Sequence, residues 1–147
     1  MAAMAFIGSE ALRSGRLTRG QLRWNYTALH PDVYIANDGQ PTLAVRTEAA
    51  ALWVPGGFVT GRAAAALHGA AFIDDDAPVE VIGRSRRPRP GVIVRAERIA
   101  PDETTTVAGL AVSTPVRTAL DLARHLPRTR AIALFFAMGA APGLAPQ

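Results

Sequence analysis

The sequence predicts an α+β fold: an N-terminal winged helix-turn-helix followed by a small mixed α/β lobe with short strands. Three features point there. A helix start at Thr18 is marked twice over, a glycine-bearing turn stands just ahead of it, and short β-rich runs alternate with proline and glycine further on. The 147 residues are 49% hydrophobic, which suffices for one core or for two small lobes sharing an interface. The 11 prolines and 13 glycines fall between apolar segments rather than in one tract, as in an ordered chain with many turns.

Taken in order, Ser9 is placed to cap a short helix over Glu10 to Arg13, which Gly15 closes. Thr18-Arg19-Gly20-Gln21 fits a capping box, in which hydroxyl and amide satisfy free N–H groups reciprocally. Leu17 and Leu22 hold the spacing of a hydrophobic staple around the same cap. At about 100° per residue, Leu22, Tyr26 and Leu29 gather on one side of this second helix. Arg19 borders that stripe, and Arg23, Trp24 and Thr27 spread over the open face. His30-Pro31-Asp32 reads as a turn, and Val33 to Ala36 as a strand closed by Asn37-Asp38-Gly39; strand and turn form the wing. Residues 1–40 are thereby the DNA-binding domain, and residues 41–147 the second lobe.

In that lobe, residues 42–53 read as a helix broken by Pro55-Gly56-Gly57, and residues 58–60 as a short extended piece. An alanine-rich helix over residues 62–68 stops at Gly69. Residues 79–82 and 92–94 are strand candidates flanking an Arg/Pro loop, and residues 110–112 are a third. Thr114-Pro115 opens a helix with a cap and proline at its first position, running to about His125. A last apolar helix covers about residues 128–138.

The stretch from Phe6 to Ala36, with Gly-Arg-Leu-Thr-Arg, Gln-Leu-Arg and Pro-Asp-Val-Tyr, resembles the winged-helix domain of the AbiEi-type antitoxin family. More closely, it is similar to bacterial proteins in which that module precedes a nuclease-like domain related to very-short-patch-repair endonucleases. Gly-Arg-Ala-Ala-Ala-Ala-Leu-His-Gly at 61–69 and Ser-Thr-Pro-Val-Arg-Thr-Ala-Leu-Asp-Leu-Ala-Arg at 113–124 extend the resemblance over roughly residues 5 to 130. It implies DNA binding, commonly at the protein's own promoter, and transcriptional repression as an antitoxin-like regulator of a type IV toxin–antitoxin system. A nucleotidyltransferase-type toxin is the implied protein partner. Past Arg130 the match fades. The resemblance therefore implies a divergent or truncated C-terminal tail, and no nuclease activity in cis.

Composition excludes several chemistries. All 16 basic residues are arginine, and the net charge is +4. Arginine's planar fork of donors suits phosphates and guanine edges. Without lysine there is neither a phosphate-binding P-loop nor Schiff-base chemistry, and without cysteine neither a thiolate nucleophile nor a Cys-based metal site. Asp74-Asp75-Asp76 with Glu80 is the one acidic cluster, and consecutive side chains in a turn diverge rather than converge on a metal. His30, His68 and His125 share no repeated spacing, and no Gly-x-Ser-x-Gly elbow is present. The expectation is a binding protein, not an enzyme, with no cofactor. The apolar run 131–138 is too short for a bilayer and the N-terminus lacks a basic n-region, so the expected location is the cytoplasm.

The candidate DNA contacts are Arg16, Thr18, Arg19, Arg23, Trp24 and Thr27 around the second helix, with Arg84, Arg86, Arg87 and Arg89 in the basic loop as a second phosphate clamp. For Trp24, packing against the second lobe is the favoured alternative to a DNA contact, and for the loop the alternative is a solvated hairpin tip. Arg117 and Asp121, at i and i+4, pair on the helix surface or anchor the helix to the strands. The alternative to DNA readout is a protein-interaction module, to which Trp24 and the apolar tail from Ile132 to Met138 are suited.

Overall fold

In the computed structural model, residues 4–38, 40–84 and 87–139 are described. The first five elements, β1 (Ala5–Ile7), α1 (Gly8–Arg13), α2 (Arg19–Asn25), β2 (Tyr26–His30) and β3 (Val33–Ala36), build a three-stranded antiparallel sheet in the order β1-β3-β2. Its strands alternate as a pleat demands. Ala5, Val33 and Ile35 are buried toward α3 (Leu43–Trp53), whereas Phe6, Tyr26 and Tyr34 form an aromatic cluster on the other face.

The predicted cap at Thr18 is present in full: Gln21 N–H donates to Thr18 Oγ1 (3.1 Å), and Thr18 N–H donates to Gln21 Oε1 (2.8 Å). Three local expectations need correction. Ser9 does not cap α1, which begins at Gly8; instead its hydroxyl donates to Asp32 in the β2–β3 turn (2.5 Å). The second helix stops at Asn25, so Tyr26, Thr27 and Leu29 lie on β2 and not along a helical stripe. Tyr26-Thr27-Ala28-Leu29 fits either period, and pairing with β3 decides it. The predicted wing strand is consequently the middle strand of the sheet, and the hairpin turns at Pro31-Asp32; Gly39 of the expected closing turn lies outside the described residues.

The second sheet has five strands in the order β6-β5-β4-β8-β7: β4 (Phe58–Thr60), β5 (Val79–Ile82), β6 (Val92–Arg95), β7 (Thr104–Val107) and β8 (Leu110–Ser113). β5 and β6 run parallel, so the Arg/Pro loop between them is a crossover and not the tip of a hairpin. With it are the helices α4 (Gly61–Leu67), α5 (Pro115–His125) and α6 (Arg128–Gly139). Thr42 and Thr114 cap α3 and α5 through the N–H groups of Val45 and Arg117.

The two faces of this sheet differ. Val59, Val79, Val81 and Val112 join α3 in a hydrophobic cluster that continues into Ala5, Val33 and Ile35 of the first sheet, so α3 is packed by both sheets. The opposite face carries Thr60, Glu80 and Ser113, all buried, and α5 meets it with Arg117, Thr118 and Asp121. Thr60 Oγ1 donates to Asp121 (2.5 Å), and the hydroxyls of Ser113 and Thr118 lie 2.6 Å apart. Arg117 donates to Asp121 (3.0 Å), to Glu103 (3.2 Å) and to the carbonyl of Arg98 (2.8 Å). Of the two placements open to Arg117 and Asp121, the anchor to the strands is the one observed: the side chains are 5% and 1% exposed. Burial alone would lower the Arg117 pKa, but its hydrogen bond and charge pairing with Asp121 and Glu103 raise it. A second cationic enclosure surrounds Glu80, whose carboxylate meets Arg95 (2.9 Å) and Arg62 (3.8 Å).

Candidate nucleic-acid interface

α2 buries one residue, Leu22, and exposes the rest of its surface. Arg19 and Arg23 stand one turn apart on the exposed side, and both border a shallow hollow of about 400 Å³ with Leu12, Tyr26 and Tyr34 in its lining. Arg16 sits on the α1–α2 link just after Gly15, whose φ of 76° lets the chain reverse between the two helices. Its guanidinium lies 5.1 Å from the centre of the Phe6 ring, and that of Arg23 lies 5.3 Å from the Trp24 ring. Both arginines are held over an aromatic face while remaining exposed.

Trp24 is 73% exposed, so it does not pack against the second lobe. Its ring and the Arg23 guanidinium together make a flat, cationic surface. Thr18 commits its hydroxyl to the cap. Thr27 donates its hydroxyl to Asn37, and Asn37 in turn donates to the carbonyl of Trp24 (3.3 Å). Asn37 carries no sequence signal for such a role, yet it pins the α2–β2 junction to the end of β3. Arg13 is a further exposed arginine, in the last turn of α1; the arginine spacing 13, 16, 19, 23 is the sequence signal that could have found it.

The basic loop divides. Arg84 and Arg87 are exposed, and Arg86 lies outside the described residues. Arg89 turns inward instead: it donates to the carbonyl of Leu29 (2.9 Å) and to Nδ1 of His30 (3.4 Å). The loop is thereby tied to the β2–β3 hairpin, next to the first unit's turn. His30 itself is buried and stacks on Trp53 at 5.2 Å. Burial, with the positive charges of Arg89 and Arg46, lowers its pKa to about 4, so it is neutral in the folded protein at physiological pH.

The acidic residues do not converge. Asp75 accepts from the Leu43 N–H at the start of α3 (3.0 Å), and Glu80 is enclosed by arginines. Among the described residues no group of three His, Asp or Glu side chains is arranged to hold a metal ion. Also among them, no helix is long and apolar enough to cross a membrane.

Residues 56–139, from just before β4 to the end of α6, match the model of the AbiEi antitoxin C-terminal domain. The chain belongs to the AbiEi antitoxin family. This identifies it as an antitoxin-type protein of a toxin–antitoxin system. The matched part holds the five-stranded sheet and the buried Arg117–Asp121 layer, whereas the cationic surface of α2 lies N-terminal to it. No curated protein matches the chain.

Proposed function

We propose that the N-terminal unit is a winged helix-turn-helix that binds double-stranded DNA, and that this AbiEi-family chain acts as a transcriptional repressor in a type IV toxin–antitoxin system. The observation that carries the reading is the surface of α2: a capped helix with one buried residue and with Arg19, Arg23 and Trp24 exposed beside Arg16. Helix-turn-helix proteins present their second helix to the major groove, where arginine meets phosphates and guanine edges. Here α1 and α2 with their glycine turn supply the pair, and the β2–β3 hairpin stands in the place of the wing. Arg16 and Arg13 would hold the phosphate backbone, with Arg19 and Arg23 toward the bases. Arg84 and Arg87 supply a second backbone contact if the duplex extends past the hairpin. The chain acts by binding and not by catalysis.

The test is a fluorescence-anisotropy titration against the duplex upstream of its own reading frame, with a scrambled duplex as control, at low and near-physiological salt. Preference for the native duplex by about a thousandfold, surviving higher salt, is the expected result. Arg19→Ala with Arg23→Ala abolishes that preference. Equal, weak and salt-erased binding to both duplexes would overturn the reading.

A further inference from the structure

Between α2 and the aromatic face of the first sheet lies the hollow of about 400 Å³ that Arg19 and Arg23 border. Its volume falls within the range of small-molecule sites, roughly 300–1,000 Å³. Leu22, the buried residue of α2, and Leu12, half-buried on α1, supply an aliphatic wall. The sheet supplies Ala28 of β2 and the rings of Tyr26 and Tyr34. Phe6 fixes both rings, Tyr26 edge to face at 5.0 Å and Tyr34 stacked at 6.1 Å, so the aromatic side of the hollow is held in place. Among the described residues the hydroxyls of Tyr26 and Tyr34 have no hydrogen-bond partner.

The charge of this lining is positive. Arg19 and Arg23 are its two charged residues, and the carboxylates between residues 4 and 38, those of Glu10, Asp32 and Asp38, stand outside it. Asp32 is committed to the N–H (2.9 Å) and the hydroxyl of Ser9. A bare inorganic anion would use the arginines and leave the aliphatic wall empty, and a purely apolar molecule would do the reverse. One molecule that carries a flat apolar ring and a carboxylate uses both. We infer that the hollow binds a small aromatic carboxylate, and that the bound molecule displaces DNA. Its ring lies between Leu12, Leu22 and the two tyrosine rings, and its carboxylate meets the Arg19 and Arg23 guanidiniums, whose planar forks match it. The displacement rests on the DNA reading above, since the same two arginines are assigned there to the bases. By linkage, acid and duplex weaken each other's binding by the same factor.

The test is isothermal titration calorimetry of the full chain with three probes: naphthoate, naphthamide (the same ring without the charge) and acetate (the charge without the ring). Naphthoate should bind at least about tenfold more tightly than either of the others. Ala28→Trp fills the hollow from an exposed strand position and leaves both arginines in place, and it should weaken naphthoate by about tenfold or more, with circular dichroism unchanged. Arg19→Ala with Arg23→Ala should weaken it as much, and Arg124→Ala should not. The probe series is read on the unaltered chain, so it decides even where Ala28→Trp does not fold. In the anisotropy titration, saturating naphthoate should weaken binding of the native duplex by about tenfold or more. Equal binding of the three probes, or undiminished naphthoate binding by folded Ala28→Trp, would overturn the site. Naphthoate bound with duplex affinity unchanged would overturn the displacement. Naphthoate bound by a chain with no preference for its native duplex would overturn the DNA reading and leave the site standing, so the two fail separately.

Discussion

The surface of α2 and the buried polar layers of the second sheet use the same residue type in opposite ways. Around α2, Arg16, Arg19 and Arg23 are exposed, and the groups that steady Arg16 and Arg23 are aromatic rings. Against the second sheet, Arg62, Arg95 and Arg117 are drawn into carboxylates, and Arg46 of α3 donates to the carbonyls of Asp75, Ala77 and Gly91. A cation already satisfied by a buried carboxylate has little to offer a phosphate, whereas one resting over a ring keeps its donors free. Arginine count alone therefore says little about where an anionic partner binds; the partners each guanidinium already has are decisive.

The sharpest way to break the buried half of this comparison is Asp121→Ala. It leaves Arg117 without its main counter-charge and Thr60 without its acceptor in a layer closed to water. Removing one partner of such a pair costs about 3–5 kcal/mol, which urea unfolding followed by circular dichroism would measure. Replacing Arg117 and Asp121 together with leucines should recover most of that loss, because no orphaned charge remains. A loss as large in the double variant as in the single one would show that the layer holds α5 by geometry rather than by charge.

Gly61→Ala comes next. Gly61 has φ of 64°, and a methyl group there would run into the Glu80 carboxylate that Arg62 and Arg95 enclose. Backbone strain and displacement of Glu80 together should cost about 2–3 kcal/mol in the same unfolding assay. A neutral outcome would mean that Glu80 swings aside freely, and the enclosure would then contribute little.

How much of this is visible in the sequence depends on whether the signal is local. The capping box at Thr18 and Thr114-Pro115 before α5 act within one turn, and both helices start where those residues place them. β1 and β7 escape, since a three-residue strand and a Thr-Thr-Thr run become strands by pairing with distant partners, β3 and β8. The direction of β6 is unreadable for the same reason. The orientation of α5 is half readable: Arg117 and Asp121 at i and i+4 suit either surface pairing or an anchor to the strands, and the hydroxyls of Thr60 and Ser113 on the sheet decide for the second. For the candidate interface, the choice of Arg16, Arg19, Arg23 and Trp24 follows from the helix start, while Arg89 looks like its loop neighbours until the hairpin's carbonyl is placed beside it.

A smaller effect separates the two arginine classes directly. Arg19→Ala should weaken binding to the native duplex about tenfold and reduce the slope of log affinity against log salt by about 0.9 for each phosphate no longer neutralised. Arg124→Ala, whose guanidinium is shared between Glu97 and Asp121, should leave both quantities unchanged. Equal effects from the two changes would mean that DNA responds to total charge rather than to the α2 surface.

The smallest effect at neutral pH concerns the seam between the two sheets, where His30 is packed between Trp53 and Arg89. Its pKa is about 4 in the folded protein and near 6.5 once the chain unfolds. Above about pH 6.5 neither state binds the proton, and the residue contributes no pH dependence. As pH falls from there toward about 4, the unfolded chain takes up a proton that the folded one refuses, so stability declines through that window. Below it both states are protonated and the contribution levels off. Arg89→Ala relieves part of the electrostatic penalty on a charged His30, but burial, the larger cause, remains; the window should therefore narrow without disappearing. His30→Gln should flatten the profile there, read as melting temperature against pH. If the decline persists unchanged in His30→Gln, the acid sensitivity belongs to the carboxylates around Arg117, with Glu103 the first to examine: the Ala100 N–H foremost, and then Arg117, hold its pKa below the usual range.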